Sequence, residues 1–191
     1  MGLYPALRLF TPEEYLMIER AASTKSEYMD GQIFAMAGAT RGHDAVATNT
    51  LVALQMRLRG KSCRAHSGDV RVLLSSGGPY YYPDVSVVCT AEADWESDLV
   101  GVATVICEVF SQSTANYDQE VKLKQYRLMR SVREILMISQ DTVDIQHHFR
   151  GESQMWDARF YSDINASIPL ASIGLELPIA EIYEGVRIRT K

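Results

Sequence analysis

Cysteine is scarce in this chain of 191 residues: Cys63, Cys89 and Cys107, an odd number with no CxxC spacing. That excludes a disulfide scaffold and a cysteine-ligated zinc site. Each cysteine lies in a strand-like apolar run, so reduced core thiols in a cytoplasmic protein are expected. No apolar run approaches the roughly 18 residues that a membrane span needs. The first fifteen residues, MGLYPALRLFTPEEY, lack a basic start followed by an apolar block, so secretion is not expected. Basic residues are outnumbered, 19 Lys and Arg against 24 Asp and Glu, for a net charge of −5. A general nucleic-acid coat would be broadly basic and is excluded. An enzyme with an acidic, metal-filled site and a local basic face is not.

What is present is ordinary globular composition, 47% hydrophobic and 23% charged, without repeats or linkers. One domain over residues 1–191 is expected. Thr11-Pro12-Glu13-Glu14 reads as a capping box opening a helix to about residue 22. Residues 27–37 read as a hairpin turning at Asp30-Gly31. A second helix is predicted over residues 44–59, with Ala47, Leu51, Leu54 and Leu58 on one face. Strands are predicted at 62–67, 69–74, 80–89 and 102–110, and a third helix at 114–129. Three more strands follow at 134–139, 143–149 and 154–161, then a short strand at 173–177 and a helical turn at 178–183. This order predicts an α/β or α+β chain, a mixed sheet with helices against it.

Two apolar strands carry acids where a bland core would carry Val or Ile: Tyr82-Pro83-Asp84-Val85 and Ile106-Cys107-Glu108-Val109. Such carboxylates are unfavourable unless paired or bound to metal. Pairing residues 69–74 with 80–88 across Ser76-Gly77 would set Asp69 opposite Asp84, which suits a divalent cation between them. A slip of one residue would send Asp69 to the other face. Hard cations such as Mg²⁺ take oxygen ligands of this kind. Lys122 shares a helix face with Asp118 and Tyr126. Spacing leaves open whether it pairs with Asp118 at the surface or points back at the acids. Lys122, Lys124, Arg127, Arg130 and Arg133, with Arg57, Arg59, Lys61 and Arg64, are the candidate phosphate-tracking surface.

His147-His148 cannot share a metal, because neighbours on a strand face opposite ways. His43 and His66 are read as surface or cap residues rather than catalytic bases. Ser111, Ser113 and Thr114 are read as helix caps. In Tyr80-Tyr81-Tyr82 at least one ring belongs to the core.

Taken in order, several segments resemble one family: Phe10-Thr11-Pro12-Glu13-Glu14-Tyr15, Glu27-Tyr28-Met29-Asp30-Gly31, Met36-Ala37-Gly38-Ala39, His43 and Ser67-Gly68-Asp69-Val70. The likeness continues through Tyr82-Pro83-Asp84-Val85, Glu108-Val109-Phe110-Ser111, Ser113-Thr114, Tyr117-Asp118 with Lys122 and Tyr126, and 177–183. The chain resembles the Uma2-type endonucleases, a branch of the PD-(D/E)xK nuclease superfamily. That resemblance implies a restriction-endonuclease-like fold and Mg²⁺-dependent (or Mn²⁺-dependent) hydrolysis of DNA. It implies Asp84 and Glu108 as metal-binding acids, aided by Asp69 and the Val109 carbonyl, and Glu27 as a further acid at the metal. Where the superfamily places lysine, two residues after Glu108, this chain has Phe110, and Lys122 takes that role from the next helix. The alternative is a catalytically silent nucleic-acid-binding or regulatory module on the same fold. A homodimer is expected, burying Trp156, Phe160 and Tyr161.

Overall fold

A computed structural model describes residues 8–90, 96–111, 121–151 and 153–189. Helix α1 (Pro12–Ala21) opens on the expected capping box: Thr11 Oγ1 accepts from the Glu14 amide, and the Glu14 carboxylate accepts from the Thr11 amide. Strands β1 (Ser26–Met29) and β2 (Gln32–Ala35) form the hairpin. Asp30 and Gly31 both have positive φ, 50° and 81°, as a tight turn matching the strand twist requires. Helix α2 (Arg41–Leu58) starts three residues earlier than predicted, because Thr40 caps it through the His43 amide. It buries Val46, Thr50, Ala53, Leu54 and Leu58.

The next strands are β3 (Arg64–Ser67), β4 (Arg71–Leu73), β5 (Tyr80–Tyr81), β6 (Val85–Val88), β7 (Leu99–Val100) and β8 (Ala103–Phe110). After them come α3 (Leu123–Leu128), β9 (Glu134–Ser139), β10 (Ile145–Arg150), β11 (Trp156–Tyr161), β12 (Ser167–Leu170), β13 (Leu175–Pro178) and α4 (Ile179–Ile182). One sheet runs β2-β1-β5-β4-β7, a second β11-β10-β9-β8-β6-β3, and β12 pairs with β13. The pairs β8–β9 and β4–β7 are parallel and the others antiparallel, a mixed architecture. Of the predicted third helix only the part from residue 121 onward is described. Asp118, Ser113 and Thr114 lie outside the described residues.

The run read as one strand at 80–89 is two strands in two sheets. Pro83 cannot donate to a ladder, and the chain leaves the first sheet at Tyr82 to enter the second at Val85. The predicted register does hold for Val72↔Tyr81 and Leu73↔Tyr80. It stops there, so Asp69 does not reach a position opposite Asp84. The β3–β6 register instead brings Gly68 against that residue. A Cβ on Gly68 would lie 3.4 Å from the Pro83 carbonyl oxygen and 3.6 Å from Asp84 Cα.

The six-stranded sheet has a core on each face. Val105, Cys107, Val109, Leu136 and Ile138 pack against α2, α4 and β12–β13. On the other face Ile106, Phe110, Ile135 and Met137 pack with Leu123 and Tyr126 of α3 and with Val72 and Tyr81 of the first sheet. Tyr80, Tyr81 and Tyr82 are all buried, more than the alternation of a single strand required.

The cysteine reading needs correction. Cys63 and Cys89 form a disulfide, because the β3–β6 register that pairs Arg64 with Val88 places them opposite each other one step on. Only Cys107 is the buried thiol expected. The redox argument for a reducing compartment falls with that correction. Cys63→Ser is expected to lower stability by about 2–4 kcal/mol, measured by urea denaturation. No helix among the described residues is long and apolar enough to cross a membrane.

Candidate active site

The strand switch at Pro83 delivers Asp84 to the head of β6. In the β6–β8 ladder Val85 pairs with Cys107, so the next step sets Asp84 against Glu108. Both side chains belong to the sheet face that carries α3, since Val85 and Cys107 face the other core. Asp84 Oδ2 accepts the Val109 amide at 2.7 Å. The N–H and C=O of one strand residue leave on the same edge, so the Val109 carbonyl also faces Asp84. The Phe110 carbonyl faces the other edge and takes the Gln140 amide at 2.9 Å.

Lys122 immediately precedes α3 in helical conformation and is only 6% exposed. Its Nζ donates to Glu27 Oε1 at 2.8 Å and to Glu108 Oε1 at 3.4 Å. One turn on, the Tyr126 hydroxyl donates to the same Glu108 oxygen at 2.5 Å. The i, i+4 relation seen in the sequence thus converges on Glu108. Lys122 is buried rather than at the surface, and Asp118 lies outside the described residues. Glu27 is held from the other sheet: its Oε1 also accepts the Tyr82 amide at 3.1 Å. The Tyr82 hydroxyl in turn donates to Glu19 at 2.8 Å, so the segment entering Asp84 is tied down at both ends.

Burial dominates the electrostatics. It pushes the Glu108 carboxyl up to about 8, against the opposing pull of the Lys122 ammonium. Asp84 and Glu27 add to that upward push. Two nearly inaccessible acids, Glu27 and Glu108, share the one Lys122 ammonium, and Asp84 lies beside Glu108, so burial favours the protonated form of Glu108.

Asp69 is not part of this cluster. It lies in the turn after β3 with its side chain 81% exposed and bound to Lys25 at 2.8 Å. Asp69→Ala is therefore expected to change stability by under about 1 kcal/mol and to leave site chemistry within about twofold, read by melting and by DNA cleavage. His43 is the residue the sequence reading undervalued. Its Nε2 lies 2.8 Å from Asp84 Oδ1, and the ring orients that carboxylate. The Thr40 cap was the available signal, because it puts His43 in the first turn of α2 rather than ahead of it. His66 sits on β3 opposite Ser86. His147 and His148 occupy opposite faces of β10, as expected: His147 approaches Glu134 at 3.9 Å, and His148 takes Arg127.

The donor set suits a hard cation. Asp84, Glu108 and the Val109 carbonyl are all oxygen ligands, and Glu108 Oε2 makes no hydrogen bond among the described residues. No group of three His, Cys, Asp or Glu side chains there is arranged to hold a metal by itself. The fit is the sparse kind Mg²⁺ accepts, one or two carboxylates completed by backbone and water.

Similarity to known proteins agrees with this fold. A protein of Synechocystis sp., described only as uncharacterized, is 29% identical over 176 residues, 92% of each chain. A second uncharacterized protein of that organism is 28% identical over 158 residues, covering 82% of this chain and 89% of its own. Among solved structures, a putative nuclease belonging to DUF820 from Anabaena variabilis matches with a TM-score of 0.77. That match covers 93% of this chain and 99% of the other at 16% identity, which establishes the restriction-endonuclease-like fold. The Uma2 family model, described as putative restriction endonuclease, matches residues 12–180, and the chain belongs to that family.

Proposed function

We propose that this protein is a divalent-metal-dependent endonuclease that hydrolyses DNA phosphodiester bonds at the Asp84–Glu108–Lys122 cluster. The observation that carries this reading is the convergence of Lys122 Nζ on Glu27 and Glu108, with Asp84 in register beside them. Asp84, Glu108 and the Val109 carbonyl would hold Mg²⁺ or Mn²⁺. When bound, that ion supplies Lewis-acid polarisation of the scissile phosphate and a more acidic water.

The protein's own groups do the rest. Lys122 places a positive charge where negative charge grows on the phosphate, in a setting that screens it little. Glu27 fixes the lysine's position and would offer a further oxygen to the metal or its water. His43 and the Val109 amide hold Asp84 in one orientation. Tyr126 donates to Glu108 Oε1 and so leaves Oε2 as the oxygen for metal. Phe110 is buried in the core beneath α3 and could not carry the superfamily lysine without losing that packing. A homodimer would use the edge of β11, which pairs with no further strand among the described residues and where Phe160 is 70% exposed. Trp156 is already covered from within the chain by two arginines.

The test is cleavage of supercoiled plasmid with Mg²⁺ or Mn²⁺, by wild type and by Lys122→Ala. Wild type should nick or linearise the plasmid, and the variant should be slower by roughly a hundredfold or more. If wild type binds metal yet leaves supercoiled and single-stranded DNA intact, the silent-module reading replaces this one.

A further inference from the structure

The C-terminal end of α3 carries a group of arginines that lack acidic partners. Arg127 donates to His148 Nδ1 at 2.8 Å, so that nitrogen is an unprotonated acceptor. Arg150 donates to the carbonyls of Arg127 and Met129 at 2.7 and 3.0 Å. Arg133 donates to the Gln154 side-chain oxygen at 2.7 Å. Both Arg127 and Arg150 lie over the Trp156 ring, 5.7 and 4.8 Å from its centre. Every one of these partners is neutral, and among the described residues none of the three makes a salt bridge. The Nε atoms of Arg127 and Arg150 are buried with no hydrogen-bond partner. Arg130 is exposed in the bend between α3 and β9.

This departs from the rest of the molecule. Arg57 is bidentate with Glu181, and Arg20 and Arg71 share Asp98. In a chain of net charge −5, acids are available to neutralise arginines, yet among the described residues none pairs with Arg127, Arg133 or Arg150. Partly buried guanidiniums without a counter-charge project an uncancelled positive field. They suit a polyanion whose charges arrive from outside.

We propose that this face, built from Arg127, Arg130, Arg133 and Arg150 around Trp156, binds the phosphate backbone of the DNA beside the cleavage site. The inference rests on the nuclease reading and adds where the substrate lies. The geometry supports the connection. Arg127 follows Tyr126, which touches Glu108, and β10 is two strands from β8. Glu108 is level with Met137 and Gln146, four residues along the strands from Arg150. At about 4.8 Å per strand across and 3.3 Å per residue along, the patch lies ~16–19 Å from the acids. That distance is about five to six nucleotides of axial rise along one DNA strand. The DNA would then run from the acids across the sheet toward β11, over the outer surface of α3.

The test measures binding of a fluorescent 30-base-pair duplex by anisotropy, in EDTA so that no cleavage intervenes, across a salt series. It compares wild type with Arg130→Ala/Arg133→Ala, which removes two guanidiniums that do not cap α3. Circular dichroism should show an unchanged fold. Affinity should fall roughly tenfold or more, and the slope of log K against log salt should drop by about 1.8, as for two lost phosphate contacts. Polyglutamate of similar charge should compete poorly. Unchanged affinity and slope in the double variant would overturn the assignment, as would equal binding of polyglutamate, which points to an acidic protein partner. If wild type binds and cleaves DNA but the double variant matches it, only this surface is refuted. If wild type neither binds nor cleaves, the nuclease reading fails as well.

Discussion

Glu108→Gln is expected to stop metal-dependent cleavage and at the same time make the metal-free protein more stable at pH 8. Glutamine keeps the size of the side chain and an oxygen that Tyr126 and Lys122 can still reach. It removes a charge that burial opposes. The sign follows from the shift. In the folded protein the Glu108 carboxyl is raised to about 8, whereas in the unfolded chain it titrates near its ordinary value of 4.5. The folded state therefore holds one more proton between those limits, and its stability falls as pH rises through that window. Below the window the penalty is absent, and above it the penalty is complete. At pH 8 the substitution should stabilise by on the order of 1–3 kcal/mol. At pH 4 the two proteins should nearly coincide. Cleavage should fall by roughly 10²–10³-fold, because a neutral amide is a poor ligand for a hard cation. Urea titrations at several pH values in EDTA, paired with plasmid assays, give both readouts. A variant that is less stable at pH 8 than wild type would show that Glu108 is a structural ion-pair partner.

Lys122→Met is expected to act in the opposite sense on stability. Lys122 is 6% exposed, and its ammonium lies between Glu27 and Glu108, each itself nearly inaccessible to water. Removing it leaves two buried carboxylates facing each other with no cation. Breaking a buried pair from one side destabilises by about 3–5 kcal/mol. The loss should be larger at pH 9 than at pH 5, since protonation of Glu108 relieves the repulsion. Combining Lys122→Met with Glu108→Gln should recover part of the stability and none of the activity. Thermal melts of the two single variants and the double variant form a cycle that reads the coupling directly. Melts of the Lys122 variant that do not change with pH would mean the lysine holds the fold by packing alone.

Much of this site could be read in the sequence because strand periodicity constrains it. Acids at Asp84 and Glu108 interrupt apolar runs, and an apolar run does not carry a carboxylate without reason. The i, i+4 spacing of Lys122 and Tyr126 holds once α3 forms. The misreadings come from long-range geometry. Extending the local hairpin register through Pro83 puts Asp69 opposite Asp84, but the chain changes sheets there and the register ends at Tyr81. His43 carries little signal in the sequence because its value depends on Asp84, far along the chain and beside it only in the folded protein. The Cys63–Cys89 bond has the same origin: an odd cysteine count says nothing about which two strands pair. Short elements such as β7 and β12 escaped because their pairing is non-local and Pro169 disguises the latter.

The most direct test of the account is calorimetric titration of the metal-free protein with Mg²⁺ and Mn²⁺, repeated on Asp84→Asn and Glu108→Gln. The account predicts saturable binding to wild type that either substitution removes, while both variants remain folded. Wild-type protein that takes up neither ion, or variants that bind as tightly as wild type, would contradict it.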